Sequence, residues 1–198
     1  MNKENNIKWA ILCTGWGRNA KDIIDVHTKN TTTTSTIQLV VYENEPCGAA
    51  EAARANNIET LLVKRADFDS ATTYQKHLIK EILKRGIDYI FLLNYKYLVR
   101  ADMLAAFPNR IINIHPSLFP SFLATKTAIQ DALAYGVKIT GITTHIIDEH
   151  YDRGTILCQI PIKVKKEDTF ETLYPKFASK GLKIIEKTIR LIEKEHIN

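Results

Sequence analysis

The chain has 198 residues, 45% hydrophobic and 25% charged, which suits a globular protein with a real core and excludes a low-complexity or disordered one. Its formal charge is +5, with bases interleaved with acids, so small anionic substrates are expected rather than nucleic acid, whose readers concentrate basic and aromatic residues in one stripe. No run is long enough to span a membrane, and the apolar run before Thr14 is too short for a signal peptide, so a cytoplasmic protein is expected.

The first strand is expected over residues 7–14. Gly15, Trp16, Gly17, Arg18 and Asn19 follow, and a helix then runs over 19–27. Strand, glycine-rich turn and helix are how a doubly wound α/β fold begins. The Thr-rich residues 28–36 suit neither a helix nor a buried strand and read as an exposed loop. Residues 37–43, 58–63 and 87–93 read as further strands, the last almost wholly apolar as a strand covered on both faces must be. Helices are expected over 48–56, 71–85 and 99–107, with Gly86 closing the second. A buried strand over 110–114 runs into His115 and Pro116, which cannot continue a ladder. Thr127 is placed to cap a helix over 128–134 closed by Gly136. Strands over 138–147 and 155–164 are joined by a short polar turn, hence antiparallel, and a long helix runs from Asp168 or Thr169 toward Glu193. Alternating strands and helices without a linker or repeat predict one domain over 1–198. It should be a three-layer α/β sandwich with a mostly parallel central sheet.

The sharpest chemical feature is Asn113-Ile114-His115-Pro116-Ser117-Leu118. Asn113 and His115 are one residue apart on a strand and point the same way. They sit at the carboxyl edge of an open sheet, where ligands bind. An amide and an imidazole side by side can stabilise one oxyanion, or simply satisfy a loop. Ser117 lacks the context of a nucleophile. Asp152, in a tight turn, can orient a histidine and raise its pKa, or form an ordinary Asx turn. His145, Asp148 and His150 match no familiar metal-ligand spacing, and the three scattered cysteines, Cys13, Cys47 and Cys158, offer neither a thiol-rich metal site nor a disulfide framework. Gly15–Asn19 can form an anion nest at a helix N-terminus, with Arg18 adding charge; Ala20 replaces the third glycine of a dinucleotide fingerprint, and Trp16 is too bulky for a pyrophosphate. Arg65, after the third strand, reads as an anion contact or a solvated side chain. The run from Leu92 to Leu98 mixes apolar, amide and aromatic groups, as a pocket for a flat heterocycle would.

The pairing of residues 113–118 with the later His145, Asp152 and Gly154, approached by Thr140 and Gly141, resembles the phosphoribosylglycinamide formyltransferases within the wider folate-dependent formyltransferase family. The resemblance covers roughly residues 7–190. It implies transfer of a formyl group from 10-formyltetrahydrofolate, a co-substrate, to the primary amine of glycinamide ribonucleotide in purine synthesis, with no metal. It makes Asn113, His115 and Asp152 the catalytic residues, with Asp152 keeping His115 charged. Gly15, Trp16, Gly17, Arg18, Asn19 and Arg65 become acceptor-binding. The folate pocket falls to Leu92, Leu93, Asn94, Tyr95, Lys96, Tyr97, Leu98 and Leu104, with Ile147, Asp148, Glu149, His150 and Tyr151. The chain departs from the family after Pro120, where residues 121–127 lack a glycine, and at Gly181 and Leu182, where a Glu-His pair is usual. Those departures leave room for another phosphorylated amine, a nucleotide-linked amino-sugar, or a non-catalytic ligand-binding domain. A monomer or homodimer is expected.

Overall fold

The computed structural model describes residues 6–28 and 34–197. Seven strands form one sheet in the order β3-β2-β1-β4-β5-β6-β7. They are β1 (Ile7–Leu12), β2 (Ser35–Tyr42), β3 (Glu59–Leu62), β4 (Tyr89–Leu92), β5 (Ile111–His115), β6 (Ile139–Ile146) and β7 (Ile156–Lys163). The pairings among β1 to β5 are parallel; β6 and β7 are antiparallel to their neighbours. The helices are α1 (Arg18–His27), α2 (Gly48–Ala55), α3 (Ala71–Lys84), α4 (Ala101–Ala106), α5 (Ala128–Tyr135) and α6 (Phe170–Ile197).

The expected loop at 28–36 lies partly outside the described residues. Within them it is shorter than expected, because Ser35 and Thr36 already pair with Ile7 and Lys8. Their polar character hid a strand start that the neighbouring β1 imposes. Thr127 precedes α5 but makes no side-chain cap; its hydroxyl bonds to Asp131 instead. Gly136 closes α5 in the left-handed conformation, at φ 78.

Both faces of the sheet are covered. Ile7, Trp9, Ile11 and Phe91 pack with Ile23, Ile24, Ile184 and Ile185 of α1 and α6. Ala10, Leu12, Ile90 and Leu92 pack on the other face with Leu78, Ile82 and Met103 of α3 and α4. The alternation along β1 divides its side chains between these two cores, the period-2 rule of a strand. From β1 the chain builds outward through β2 and β3, then crosses back to place β4 on the other side of β1. That reversal opens a crevice beyond the carboxyl ends of β1 and β4.

Candidate active site

β5 carries Asn113 and His115 to the carboxyl edge of the sheet. Its antiparallel pairing with β6 sets Asn113 opposite His145 and His115 opposite Thr143. The turn between β6 and β7 then brings Asp152 back over the pair. His115 Nδ1 lies 3.3 Å from Asp152 Oδ2, and His145 Nε2 lies 3.6 Å from Asp152 Oδ1. Asn113 Nδ2 is 3.4 Å from the same His145 nitrogen. His145 Nδ1 faces the Ile146 carbonyl at 3.2 Å, so the ring is held between that carbonyl on one side and Asn113 and Asp152 on the other.

The turn is held by close backbone contact. Asp152 adopts φ 55, and Ala124 N–H donates to its Oδ2 at 3.0 Å. The loop between β5 and α5 also reaches His115, whose Nε2 donates to the Phe122 carbonyl at 2.9 Å. Phe122 and Ala124 both adopt φ 54, a left-handed conformation that favours glycine. The loop therefore keeps a glycine-like shape without any glycine.

His115, His145 and Asp152 are all buried. Burial pushes His115 below its ordinary value, and the Asp152 charge and the Phe122 carbonyl only partly oppose it. Asp152 thus acts on His115 in the direction the sequence reading gives it, favouring the charged ring, while burial works against that charge. Burial also works to raise Asp152, but the His145 hydrogen bond, the His115 charge and the Ala124 N–H together hold its carboxyl below its usual range. Both groups bind protons less readily folded than unfolded, so their stabilisation is present at high pH and lost on acidification. The melting temperature is expected to be level above neutrality and to fall as pH drops through the ordinary His115 value of 6.5, with a further fall below the ordinary Asp152 value of 3.8. The first fall should vanish in His115→Gln, measured by thermal melts across that range.

Two cavities flank the triad. The first, of about 500 Å³, is lined by Leu92, Tyr95, Tyr97, Leu98 and Val99, by Asn113, and by Ile147, Asp148, Glu149, His150, Tyr151 and Asp152. Four residues expected there lie elsewhere. Leu93 is in the core, and Leu104 packs against the opposite cluster. Asn94 lines the second cavity. Lys96 pairs with Glu43 at 3.0 Å and lies over the Tyr97 ring. The second cavity, of about 560 Å³, has Arg18, Asn19 and Asn94 at one end, with Ile114, Pro116, Ile129, Ile142, Tyr174, Phe177 and Gly181. Asn113 and Ile114 are consecutive, so the two cavities open on opposite faces of β5 and meet at its carboxyl edge.

Of the glycine-rich turn, only Arg18 and Asn19 line the second cavity. Gly17, at φ 73, has room for nothing more: a Cβ there would lie 2.7 Å from that of Ala49 and 3.3 Å from Cys13 Sγ. Trp16 lies over Gly48, where a Cβ would meet its ring at 2.6 Å, and its carbonyl accepts from Ala49 N–H at 3.3 Å. Gly15 lies before this anchor and lines neither cavity. Arg65 turns back to its own segment and donates to the Phe68 carbonyl at 2.8 Å. Tyr174 and Ile129 are site neighbours that the sequence does not single out, and His145, part of the family motif, is given no role of its own there. Only the β5–β6 register and the approach of α6 bring them in. No group of three or more His, Cys, Asp or Glu residues is placed to hold a metal ion among the described residues.

The sequence model of the Formyl transferase family matches residues 7–189. The chain is 30% identical to the chloroplastic phosphoribosylglycinamide formyltransferase of Arabidopsis thaliana over 96% of its own length, and it spans 66% of that relative's length. It is 30% identical to the phosphoribosylglycinamide formyltransferase of Bacillus subtilis, with 84% of each chain covered. The crystal structure of glycinamide ribonucleotide transformylase 1 from Symbiobacterium toebii superposes with a TM-score of 0.90 at 32% identity, covering 96% of this chain and 89% of that one.

Proposed function

We propose, because the chain belongs to the formyl transferase family, that it transfers the formyl group of 10-formyltetrahydrofolate to the primary amine of glycinamide ribonucleotide, a step of purine nucleotide synthesis. The observation that carries this reading is the convergence of Asn113, His115 and Asp152 at the carboxyl edge where two cavities meet. The first cavity has the lining that suits a flat heterocycle, with Tyr95 and Tyr97 on one wall and the turn carrying Asp152 on the other. The second, with Arg18 at its end, suits a phosphorylated acceptor.

In this arrangement the acceptor nitrogen attacks the formyl carbon and a tetrahedral oxyanion forms. Asn113 donates an amide hydrogen to that oxygen. Asp152 and His115 take up the proton that the amine sheds, so His115 becomes positively charged as the oxyanion appears. Its Nδ1 is turned to Asp152, which leaves Nε2 to face the substrate in place of the Phe122 carbonyl. The carbon–nitrogen bond to the folate then breaks, and the pair returns the proton to the folate nitrogen. A histidine whose charge burial opposes is suited to this cycle because it takes up a proton most readily while a partner charge exists.

We read residues 1–198 as one formyltransferase domain and place it in the cytoplasm, in keeping with free thiols at Cys13, Cys47 and Cys158. The test is turnover of purified protein with 10-formyltetrahydrofolate and glycinamide ribonucleotide, read as tetrahydrofolate released. Turnover supports the reading. Turnover only with other amines moves the acceptor, an outcome that the glycine at 181 keeps open. Folded protein that turns over no amine overturns the transferase.

A further inference from the structure

One wall of the first cavity has no regular structure of its own. Between the end of β4 at Leu92 and the start of α4 at Ala101 the chain forms neither helix nor strand, yet Tyr95, Tyr97, Leu98 and Val99 of this segment line the cavity. Such a segment keeps one shape only where its backbone groups find fixed partners. Thr14 holds its first half: the Thr14 hydroxyl donates to the Asn94 carbonyl at 2.8 Å and accepts from Lys96 N–H at 3.1 Å. Gln75 of α3 holds the second half. Its Nε2 donates to the Leu98 carbonyl at 2.5 Å, and its Oε1 accepts from Arg100 N–H at 2.9 Å. A single amide thus brackets Val99 on both sides, while Gln75 itself lines neither cavity.

The packing of α3 does not call for an amide at this position. Gln75, Leu78 and Ile82 share the buried face of the helix, and Leu78 and Ile82 pack with Met103 of α4 in an apolar core. A glutamine on that stripe, only 2% exposed, costs stability unless both ends of its amide are satisfied. Both are, and by the segment that walls the cavity. Burial of the wall cannot replace this anchor, because the Leu98 side chain is 60% exposed. The helix behind it is a firm base. Ser70 and Thr73 close a capping box at its start, and the buried Tyr74 meets the Tyr97 ring edge-on at 5.6 Å.

We propose that Gln75 is a positioning residue for the donor side of the reaction: from behind the wall it fixes Leu98 and Val99 at the distance the folate heterocycle requires, without touching that ligand. The inference rests on the transferase reading for the identity of the ligand, but not for the hold of Gln75 on the wall.

The test uses the full chain as Gln75→Leu, which removes both hydrogen bonds, and as Gln75→Glu, which keeps the acceptor for Arg100. Hydrogen exchange is followed at the Arg100 amide, calorimetry measures binding of tetrahydrofolate, and steady-state kinetics compare KM for 10-formyltetrahydrofolate with KM for glycinamide ribonucleotide. In Gln75→Leu the Arg100 amide is expected to exchange about tenfold faster or more, while the amides of Leu78 and Ile82 stay as slow as in the parent. Tetrahydrofolate binding is expected to weaken, and the folate KM to rise, by about tenfold, with the acceptor KM and kcat within a few-fold. Gln75→Glu is expected to recover the Arg100 protection and most of the folate affinity. A residue that merely stabilised the fold would loosen α3 as a whole and move both KM values together. The proposal is overturned if folded Gln75→Leu keeps the parent's Arg100 protection, if its folate affinity is unchanged, or if both KM values rise alike. If the parent binds tetrahydrofolate more tightly than Gln75→Leu but formylates no amine, the transferase reading falls and the positioning role stands. If glycinamide ribonucleotide is formylated with a folate KM that Gln75→Leu leaves unchanged, the reverse holds.

Discussion

Asp152→Asn is expected to lower kcat by about 10²- to 10⁴-fold, the range for loss of a positioned proton-transfer group, while leaving both KM values within a few-fold. The substitution is unusually clean here. Asp152 sits at φ 55, a conformation that asparagine tolerates as well as any residue with a side chain, so the turn keeps its shape. What changes is charge. Asp152 faces His115 at 3.3 Å and His145 at 3.6 Å, and its charge opposes the burial that drives protons off His115. A neutral amide removes that opposition just when the ring must become charged against the oxyanion. His115 is then pushed further down, and the acid limb of the rate profile should move to lower pH along with the loss of kcat. Single-turnover rates across pH, with circular dichroism as a fold control, decide the matter. An unchanged rate in folded Asp152→Asn removes Asp152 from the mechanism proposed above.

How much of this was legible in the sequence depended on whether the signal was local. β1, β4 and β5 are short apolar runs buried on both faces, and such runs announce themselves. Asn113 and His115 share a strand, so their common direction follows from the period of two. The stretch after β4 shows the limit of the same rule. Its residues read as one continuous lining, yet Tyr95 and Tyr97 face the first cavity while Asn94, left-handed at φ 62, lines the second and Lys96 pairs with Glu43, because the chain bends there and the period of a strand no longer applies. His145 carries no sign of its role in its own neighbourhood; it meets Asp152 only through the antiparallel register of β5 with β6. Tyr174 and Gly181 are further still from Arg18 in sequence and reach it only when α6 packs back over α1. The balance of burial against charge at His115 is hidden for a related reason. A nearby carboxylate can be inferred from a motif, but the depth of burial that outweighs it is a property of the packed fold.

Gly154→Ala should be the most damaging small substitution in the chain, costing about 3 kcal/mol, at the upper end for forced overpacking. The reason is purely steric. Gly154 has an ordinary φ, but a Cβ there would lie 1.8 Å from the Ile146 carbonyl oxygen and 2.9 Å from its carbon. Those are backbone atoms of β6, whose own N–H is committed to the Thr155 carbonyl at 2.9 Å, so neither strand can yield without breaking the ladder. Gly136 separates this effect from strain. It sits at φ 78 with nothing within 4 Å of its Cβ position, so Gly136→Ala should cost only the left-handed penalty, about 1 kcal/mol. Thermal melts should therefore rank the parent above Gly136→Ala and both well above Gly154→Ala, with the last lower than the parent by roughly 10 °C. Gly154 also ends the turn that holds Asp152 against His115. Protein that still folds as Gly154→Ala should carry a catalytic loss that Gly136→Ala lacks. Equal melting of the two variants would mean that the close approach of Gly154 to β6 does not exist, and with it would go the support for the position of Asp152.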